Sequence, residues 1–290
     1  MEILQPGGWR EALEMKAAQP EAKPIAGGTD VMVELNFDHI RPPAMLDLTR
    51  IPELTEWGAE NGSLRIGAGV TYARLIDELG DRLPGLAIAA RTVGSPQIRN
   101  RGTIGGNLGT ASPAGDGLPP LFAAGAEVEL ASTGATRRIP VAEFITGPKR
   151  NGLAPDELIA GYWLPPAGGP QQFSKVGTRN AMVIAVCSLA LALWPDERRV
   201  TACIGSAGPT PILATTAGEF IAGVLDEHGL WESRGAISDA ALERFGELVE
   251  QAARPINDVR GTAGYRRHAL RVLGRRTLSW AWAEHQRETG

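Results

Sequence analysis

Cysteine is scarce in this sequence: Cys187 and Cys203 are the only two. Both sit among apolar residues, which reads them as buried thiols. An iron–sulfur cluster normally takes four thiolates, so two argue against a cluster carried by this chain. Histidine is nearly as rare, with four residues, and none of them falls at HxH or HxxxH spacing; CxxC is missing too. No transition-metal site is expected from this chain alone. A basic excess is also lacking, with 29 Lys and Arg against 33 Asp and Glu and a formal net charge of −4. That argues against a nucleic-acid surface, which needs a strong basic excess. The longest apolar run, Ala181–Trp194, contains Ser188 and is too short to span a bilayer. The first residues, MEILQPGGW, show no basic stretch followed by an apolar one, so no secretory signal is read. A cytoplasmic chain without membrane insertion is expected. No Ser/His/Asp or paired-carboxylate arrangement suggests hydrolysis. Neither GxxxxGK[ST] nor a GxGxxG between strand and helix occurs, so the two commonest nucleotide folds are disfavoured.

What is present is core-forming material: 43% hydrophobic and 21% charged residues over 290 positions, room for two or three domains. Spacing predicts a helix over 8–18, then a strand or helix turn over 31–35. AMLDLTRIPEL (44–54) reads as a strand and a turn ended by Pro52. A strand over 64–71, helices over 72–79 and 83–93, and a helical turn followed by a strand over 118–132 come next. From Gln172 the texture changes. FSKVGTR, AMVIAVCSLALAL and RRVTACIGSA read as strands of a meander, the last two joined by the polar turn PDER (195–198). Helices over about 239–253 and 263–285 close the chain. The fold class expected is α+β.

Two glycine segments stand out, AGGTD (26–30) and TIGGN (103–107), the second running on into LGTASPAGD. Each places a Gly-Gly pair beside an apolar residue and ahead of a hydrogen-bonding side chain. Glycine reaches positive φ and lets a ligand approach the backbone. Successive exposed N–H groups make a concavity for anions. A pyrophosphate fits that chemistry, with Thr29, Thr103 and Asn107 as additional donors. Asp116 would repel phosphate but can accept from sugar-type hydroxyls. Tight turns are the plainer alternative for either segment alone.

KPIAGGTDVM (23–32) and RGTIGGNLGTASPAGD (101–116) resemble the two FAD-contacting motifs of the medium subunits of molybdenum hydroxylases, of the xanthine dehydrogenase and carbon monoxide dehydrogenase type. LDLTRIPEL (46–54), VGSPQIRNRGT (93–103) and DVRGTAGYRRHALRVLGRR (258–276) are similar to the same family, in order along nearly the whole chain. The resemblance implies a two-part FAD-binding unit of the vanillyl-alcohol-oxidase/PCMH type, residues 1–57 and 58–170. A C-terminal domain of a small antiparallel sheet with helices, 171–290, would follow. It implies non-covalent FAD, with Ala26, Gly27, Gly28, Thr29, Asp30 and Val31 around the pyrophosphate and Thr103, Gly105, Gly106 and Asn107 completing the cradle. Asp116 would meet the ribityl chain, Ile159 would lie near the adenine, and Lys175 would approach the flavin ring, with Phe173 a further candidate to cover it.

The same resemblance implies a division of labour. A molybdopterin-binding large subunit hydroxylates substrate, 2Fe–2S clusters of a small subunit carry the electrons, and FAD in this chain passes them to NAD+ or another acceptor. The assembly implied is a dimer of heterotrimers. The xanthine-dehydrogenase-like members are the leading expectation. Carbon monoxide dehydrogenases, other aldehyde or N-heterocycle hydroxylases, and a self-contained flavin oxidoreductase are the alternatives. The arginines near the C-terminus (Arg260, Arg266, Arg267, Arg271, Arg275, Arg276) read either as a docking surface or as the solvated face of an amphipathic helix. Trp280 and Trp282 read as a subunit contact or as core.

Overall fold

The run LIAGYWL forms the strand Leu158–Leu164, buried at every position. A continuous apolar run of this length suits a strand covered on both faces. A computed structural model describes residues 1–287. The chain divides into two compact units: residues 1–77, 94–112 and 125–165 in the first, and 78–93, 113–124 and 166 onward in the second.

In the first unit Leu158–Leu164 is central in a five-stranded antiparallel sheet. Ser63–Gly67 and Trp57–Glu60 lie on one side of it, Glu127–Ala131 and Thr136–Pro140 on the other. A bulge interrupts the ladder between Ile159 and Gly161. Asn61 and Gly62, both at positive φ, turn Trp57–Glu60 into Ser63–Gly67, the Asn-Gly signature of a two-residue hairpin. A second sheet of this unit is parallel, with Ala44–Asp47 between Glu2–Leu4 and Lys23–Ile25. The helix Trp9–Ala18 follows the first strand, and Leu46 of the middle strand is fully buried.

The second unit is built on a four-stranded antiparallel sheet in the order Gln171–Val176, Cys187–Trp194, Arg199–Gly205, Ile212–Leu213. Alternation along Gln171–Val176 sends Gln172 and Ser174 to the helix Ala263–Arg287, where they bond Glu284 and Thr277. Gln171 and Lys175 face the other way, toward the helix Pro84–Arg91 and the residue that ends it. Leu189, Leu191 and Leu193 join a core with the helices Thr215–Glu227, Asp239–Ala252 and Ala263–Arg287. Both cysteines are buried, and burial pushes the Cys187 thiol up to about 12.

The structure refines the sequence reading at several places. The strand expected from Ala181 begins only at Cys187. Ahead of it, Arg179 bonds the Met182 carbonyl and Met182 adopts positive φ, so the apolar stretch enters as a loop. Of the two readings of 31–35 the helix turn holds, as the helix Val31–Asn36, whereas a helix over Thr215–Glu227 was not foreseen. The C-terminal arginines do not form one basic face. Arg266 is 2% exposed and donates to the Ser206 carbonyl and to Asp258. Arg271 and Arg275 pair with Glu243, and Arg271 also with Glu247, on the preceding long helix. Arg267 and Arg276 stay exposed. Trp282 is core and donates to the Gly235 carbonyl, whereas Trp280 is exposed.

Asp258 gathers four donors, the Arg260 amide, Arg260 Nε and Nη2, and Arg266 Nη2, at 2.5–3.0 Å. The hydrogen bonds from Arg260 hold its carboxyl well below the usual carboxylate range. A group depressed in this way stabilises the fold above its unfolded value, and that contribution is lost as pH falls toward its folded one. The urea midpoint of the full chain is therefore expected to fall as pH drops below about 4, and Asp258→Asn to flatten that fall. Parallel profiles for the two proteins would remove Asp258 from the acid response.

Candidate functional site

The strand Lys23–Ile25 ends at the edge of the parallel sheet, and the chain turns through the first glycine segment into the helix Val31–Asn36. Gly28 makes the turn at φ +76, where a side chain is strained. Gly27 is needed for a different reason: a Cβ there would stand 2.0 Å from the Arg101 carbonyl oxygen. Val31 is buried and anchors the helix. Among the described residues, the amides of Gly27, Gly28, Thr29 and Asp30 donate to no acceptor, and the Thr29 hydroxyl has no partner. The Asp30 carboxylate accepts from Thr110 Oγ1 at 3.2 Å.

The second glycine segment is a short helix, Ile104–Thr110, and not an open loop. Thr103 is its N-cap, with Oγ1 accepting from the Gly106 amide at 2.8 Å. The Thr103 hydroxyl and the Gly106 amide are thus engaged with each other, while the amides of Ile104 and Gly105 lie at the unpaired start of the helix. Gly105 packs on Ala68, whose carbonyl oxygen would be 2.4 Å from a Cβ. Gly106 is exposed, and a Cβ there would meet nothing nearer than Thr103 Oγ1 at 3.2 Å. Asn107, half-buried, follows on the first full turn. Ile159 is buried beneath this helix, its Cδ1 3.6 Å from where a Gly109 Cβ would be.

The two segments are joined within the first unit. Besides the Thr110–Asp30 bond, Lys149 Nζ pairs with Glu34 Oε1 at 2.7 Å and the Lys149 amide donates to the Ala111 carbonyl. Asn151 Nδ2 donates to the Gly109 carbonyl at 2.8 Å. Nothing in the local sequence marks Glu34, Thr110, Lys149 or Asn151 as partners; only their proximity does. Four successive undonated amides, an unpaired hydroxyl and a nearby helix start make a site suited to a phosphate-bearing anion.

Asp116 and Lys175 belong to the second unit and are brought together there. Lys175 Nζ lies 2.6 Å from Asp116 Oδ2, with side chains 8% and 9% exposed. Lys175 also donates to the Thr92 carbonyl at 3.2 Å, and Thr92 Oγ1 is 3.3 Å from Asp116 Oδ2. Asp116 Oδ1 is buried and has no hydrogen-bond partner among the described residues. Burial pushes the Asp116 carboxyl up from its ordinary value, and the Lys175 charge and hydrogen bond pull it back. Phe173, two residues before Lys175, is buried. Thr92 carried no signal in the sequence, since its role depends on residues far along the chain.

Among the described residues, no group of His, Cys, Asp and Glu could hold a metal ion, and no helix is long and apolar enough to cross a membrane. Residues 1–167 match the FAD binding domain in molybdopterin dehydrogenase, and residues 172–281 match the CO dehydrogenase flavoprotein C-terminal domain. The chain is 31% identical to the xanthine dehydrogenase FAD-binding subunit of Escherichia coli O157:H7, covering 94% of this chain and 93% of that protein. It is 28% identical to the carbon monoxide dehydrogenase medium chain of Afipia carboxidovorans, covering 91% and 90%. Its fold superposes on a crystallised chain of carbon monoxide dehydrogenase from Hydrogenophaga pseudoflava with a TM-score of 0.86, 26% identity and 98% of each chain covered. With undonated amides at the first glycine segment, a capped helix at the second and a matching domain over more than half its length, the chain belongs to the FAD-binding subunits of the molybdopterin dehydrogenases.

Proposed function

We propose that this chain is the electron-output subunit of a xanthine-dehydrogenase-like molybdenum hydroxylase, holding FAD non-covalently through the residues described above. Ala26, Gly27, Gly28, Thr29, Asp30 and Val31, with Thr103, Gly105, Gly106 and Asn107, hold the pyrophosphate and its surroundings. Asp116 accepts from the ribityl hydroxyls, Lys175 lies by the flavin ring and Ile159 by the adenine. The observation that carries this reading is the row of amides from Gly27 to Asp30 with no acceptor of their own. Buried Asp116 Oδ1, an acceptor without a donor, fits a hydroxyl-bearing ligand in the same way. Residues 1–57 and 58–170 act as the two parts of the FAD-binding unit, and 171–290 as the C-terminal domain.

When bound, FAD supplies the redox chemistry. The chain's own residues would bind and orient it: the free amides would donate hydrogen bonds to phosphate oxygens, and the capped helix would fix the backbone that phosphate approaches. Neither cradle segment contains His or Cys, so no covalent tether forms there. The scarcity of cluster and metal ligands leaves the remaining carriers to partners. These are a subunit with 2Fe–2S clusters and a molybdopterin-binding subunit, assembled as a dimer of heterotrimers in the cytoplasm. The electrons leave FAD for NAD+ or another external acceptor in this reading.

Two measurements test it. Acid precipitation of the yellow protein is expected to leave all flavin in the supernatant. Xanthine oxidation is expected only when the chain is combined with both partner subunits, and not with either alone. Turnover by this chain alone would favour a self-contained flavoenzyme. Full activity toward the physiological acceptor without this chain would deny it the output role.

A further inference from the structure

Thr92 ends the helix Pro84–Arg91 and touches both members of the buried ion pair. An ammonium on a four-carbon stem has three donors and ample freedom to swing, so Lys175 alone could serve either oxygen of Asp116. Here one of its protons goes to Asp116 Oδ2 and another to the Thr92 carbonyl, which holds it on the Oδ2 side. The Thr92 hydroxyl stands on that side as well, 3.3 Å from Oδ2 and 2.7 Å from the Ala89 carbonyl. Every protein contact of the carboxylate thus falls on one oxygen. The other, Oδ1, is buried and left without a donor. A buried carboxylate oxygen needs a hydrogen bond, and neither Lys175 nor Thr92 supplies one to Oδ1.

We propose that Thr92 is a positioning residue that turns Asp116 so that Oδ1 is presented to a hydroxyl of the bound cofactor. This rests on the reading that FAD binds here through Asp116. Thr92 itself touches no cofactor atom in this account; it acts through Asp116 and Lys175. Its hydroxyl also caps the Ala89 carbonyl, so a purely structural role in the helix end has to be separated from positioning.

The full-length chain, stripped of flavin, is titrated with FAD by flavin fluorescence. Thr92→Val keeps the shape and the backbone carbonyl and removes only the hydroxyl. It is expected to weaken FAD about five- to twentyfold, the scale of one ordinary hydrogen bond, since the hydroxyl's single proton is shared with the nearer Ala89 carbonyl. Thr92→Ser is expected to restore affinity to within about threefold. In an Asp116→Asn background, Thr92→Val is expected to change FAD affinity no further, because the group it acts through is gone. An unchanged affinity for Thr92→Val would overturn the proposal, and so would the same fold loss in both backgrounds, which marks a helix cap alone. Failure of the wild-type chain to bind FAD would overturn the underlying reading together with this one.

Discussion

Gly106→Val is expected to yield a folded chain without flavin, whereas Gly27→Ala is expected not to fold normally. The two residues sit in paired glycine motifs that look alike in the sequence. At Gly27 a Cβ would lie 2.0 Å from the Arg101 carbonyl oxygen and 2.9 Å from Gly102 Cα. Both are backbone atoms that cannot swing aside as a side chain does. The cost therefore exceeds the ~1–3 kcal/mol of ordinary overpacking. At Gly106, among the described residues and apart from the helix's own backbone, a Cβ meets only Thr103 Oγ1, at 3.2 Å. Valine is no worse than glycine in helix propensity, so the substitution does not weaken the helix on that account. The apo-chain of Gly106→Val should melt close to the wild type. Its branched side chain would occupy the exposed face where phosphate is proposed to meet the helix. FAD affinity should drop at least about a hundredfold, or roughly 2.7 kcal/mol. The flavin-to-protein ratio after purification, read beside circular dichroism, checks both halves. Full flavin content in Gly106→Val would take this residue out of the cradle, and a normally folded Gly27→Ala would contradict the close approach at Arg101.

Lys175→Met is the second large effect. It leaves the Asp116 carboxylate buried without its cation, and removing one partner of a buried pair costs about 3–5 kcal/mol. The same substitution in an Asp116→Asn background should cost much less, because no charge is left uncompensated. The pH dependence has a definite sign. Burial already pushes the Asp116 carboxyl up from its ordinary 3.8, opposed by Lys175. Without Lys175 the opposition disappears and the folded-state value rises further. A carboxyl raised on folding binds its proton in the native state at pH values where the unfolded chain has released it. Its stabilisation is present below the unfolded value and is lost as pH rises through the folded one. The urea midpoint of Lys175→Met should therefore be higher at pH 5 than at pH 8 by more than the wild type's, and Asp116→Asn should abolish that excess. A midpoint difference between these pH values no larger than the wild type's would show that Asp116 becomes solvated once Lys175 is removed.

Much of the second unit was legible in the sequence because its elements are long and periodic. The helix Asp239–Ala252 puts Ala241, Phe245, Leu248 and Val249 on one buried face, and that spacing is visible in one dimension. The meander read from Gln172 is present as three successive antiparallel strands. The first unit was harder, because its strands are short and its sheet order does not follow the chain. The hairpin at Asn61 and Gly62 did carry a signal, an Asn-Gly pair between Trp57–Glu60 and Ser63–Gly67, that the spacing alone did not bring out. The helix Ile104–Thr110 had almost none. Glycine disfavours helix, and the segment is helical because Thr103 caps it and Ala68 packs against Gly105.

The sequence by itself determined the chemistry this chain can take part in. Scarce Cys and His speak against a cluster or transition-metal centre of its own, and two Gly-Gly segments with hydroxyl and amide neighbours provide backbone for an anion. The tertiary structure decided what each of those residues does. Gly27 and Gly105 make room for the protein's own backbone, Gly28 supplies a positive φ, and Gly106 faces outward. It also decided that Lys175, on a strand that alternates between two helical layers, is buried against Asp116 and Thr92. The physical reason is range. Helix and strand periodicity relate residues a few positions apart, whereas close backbone approach and ion pairing join positions such as 116 and 175 that only the folded chain brings within hydrogen-bond distance.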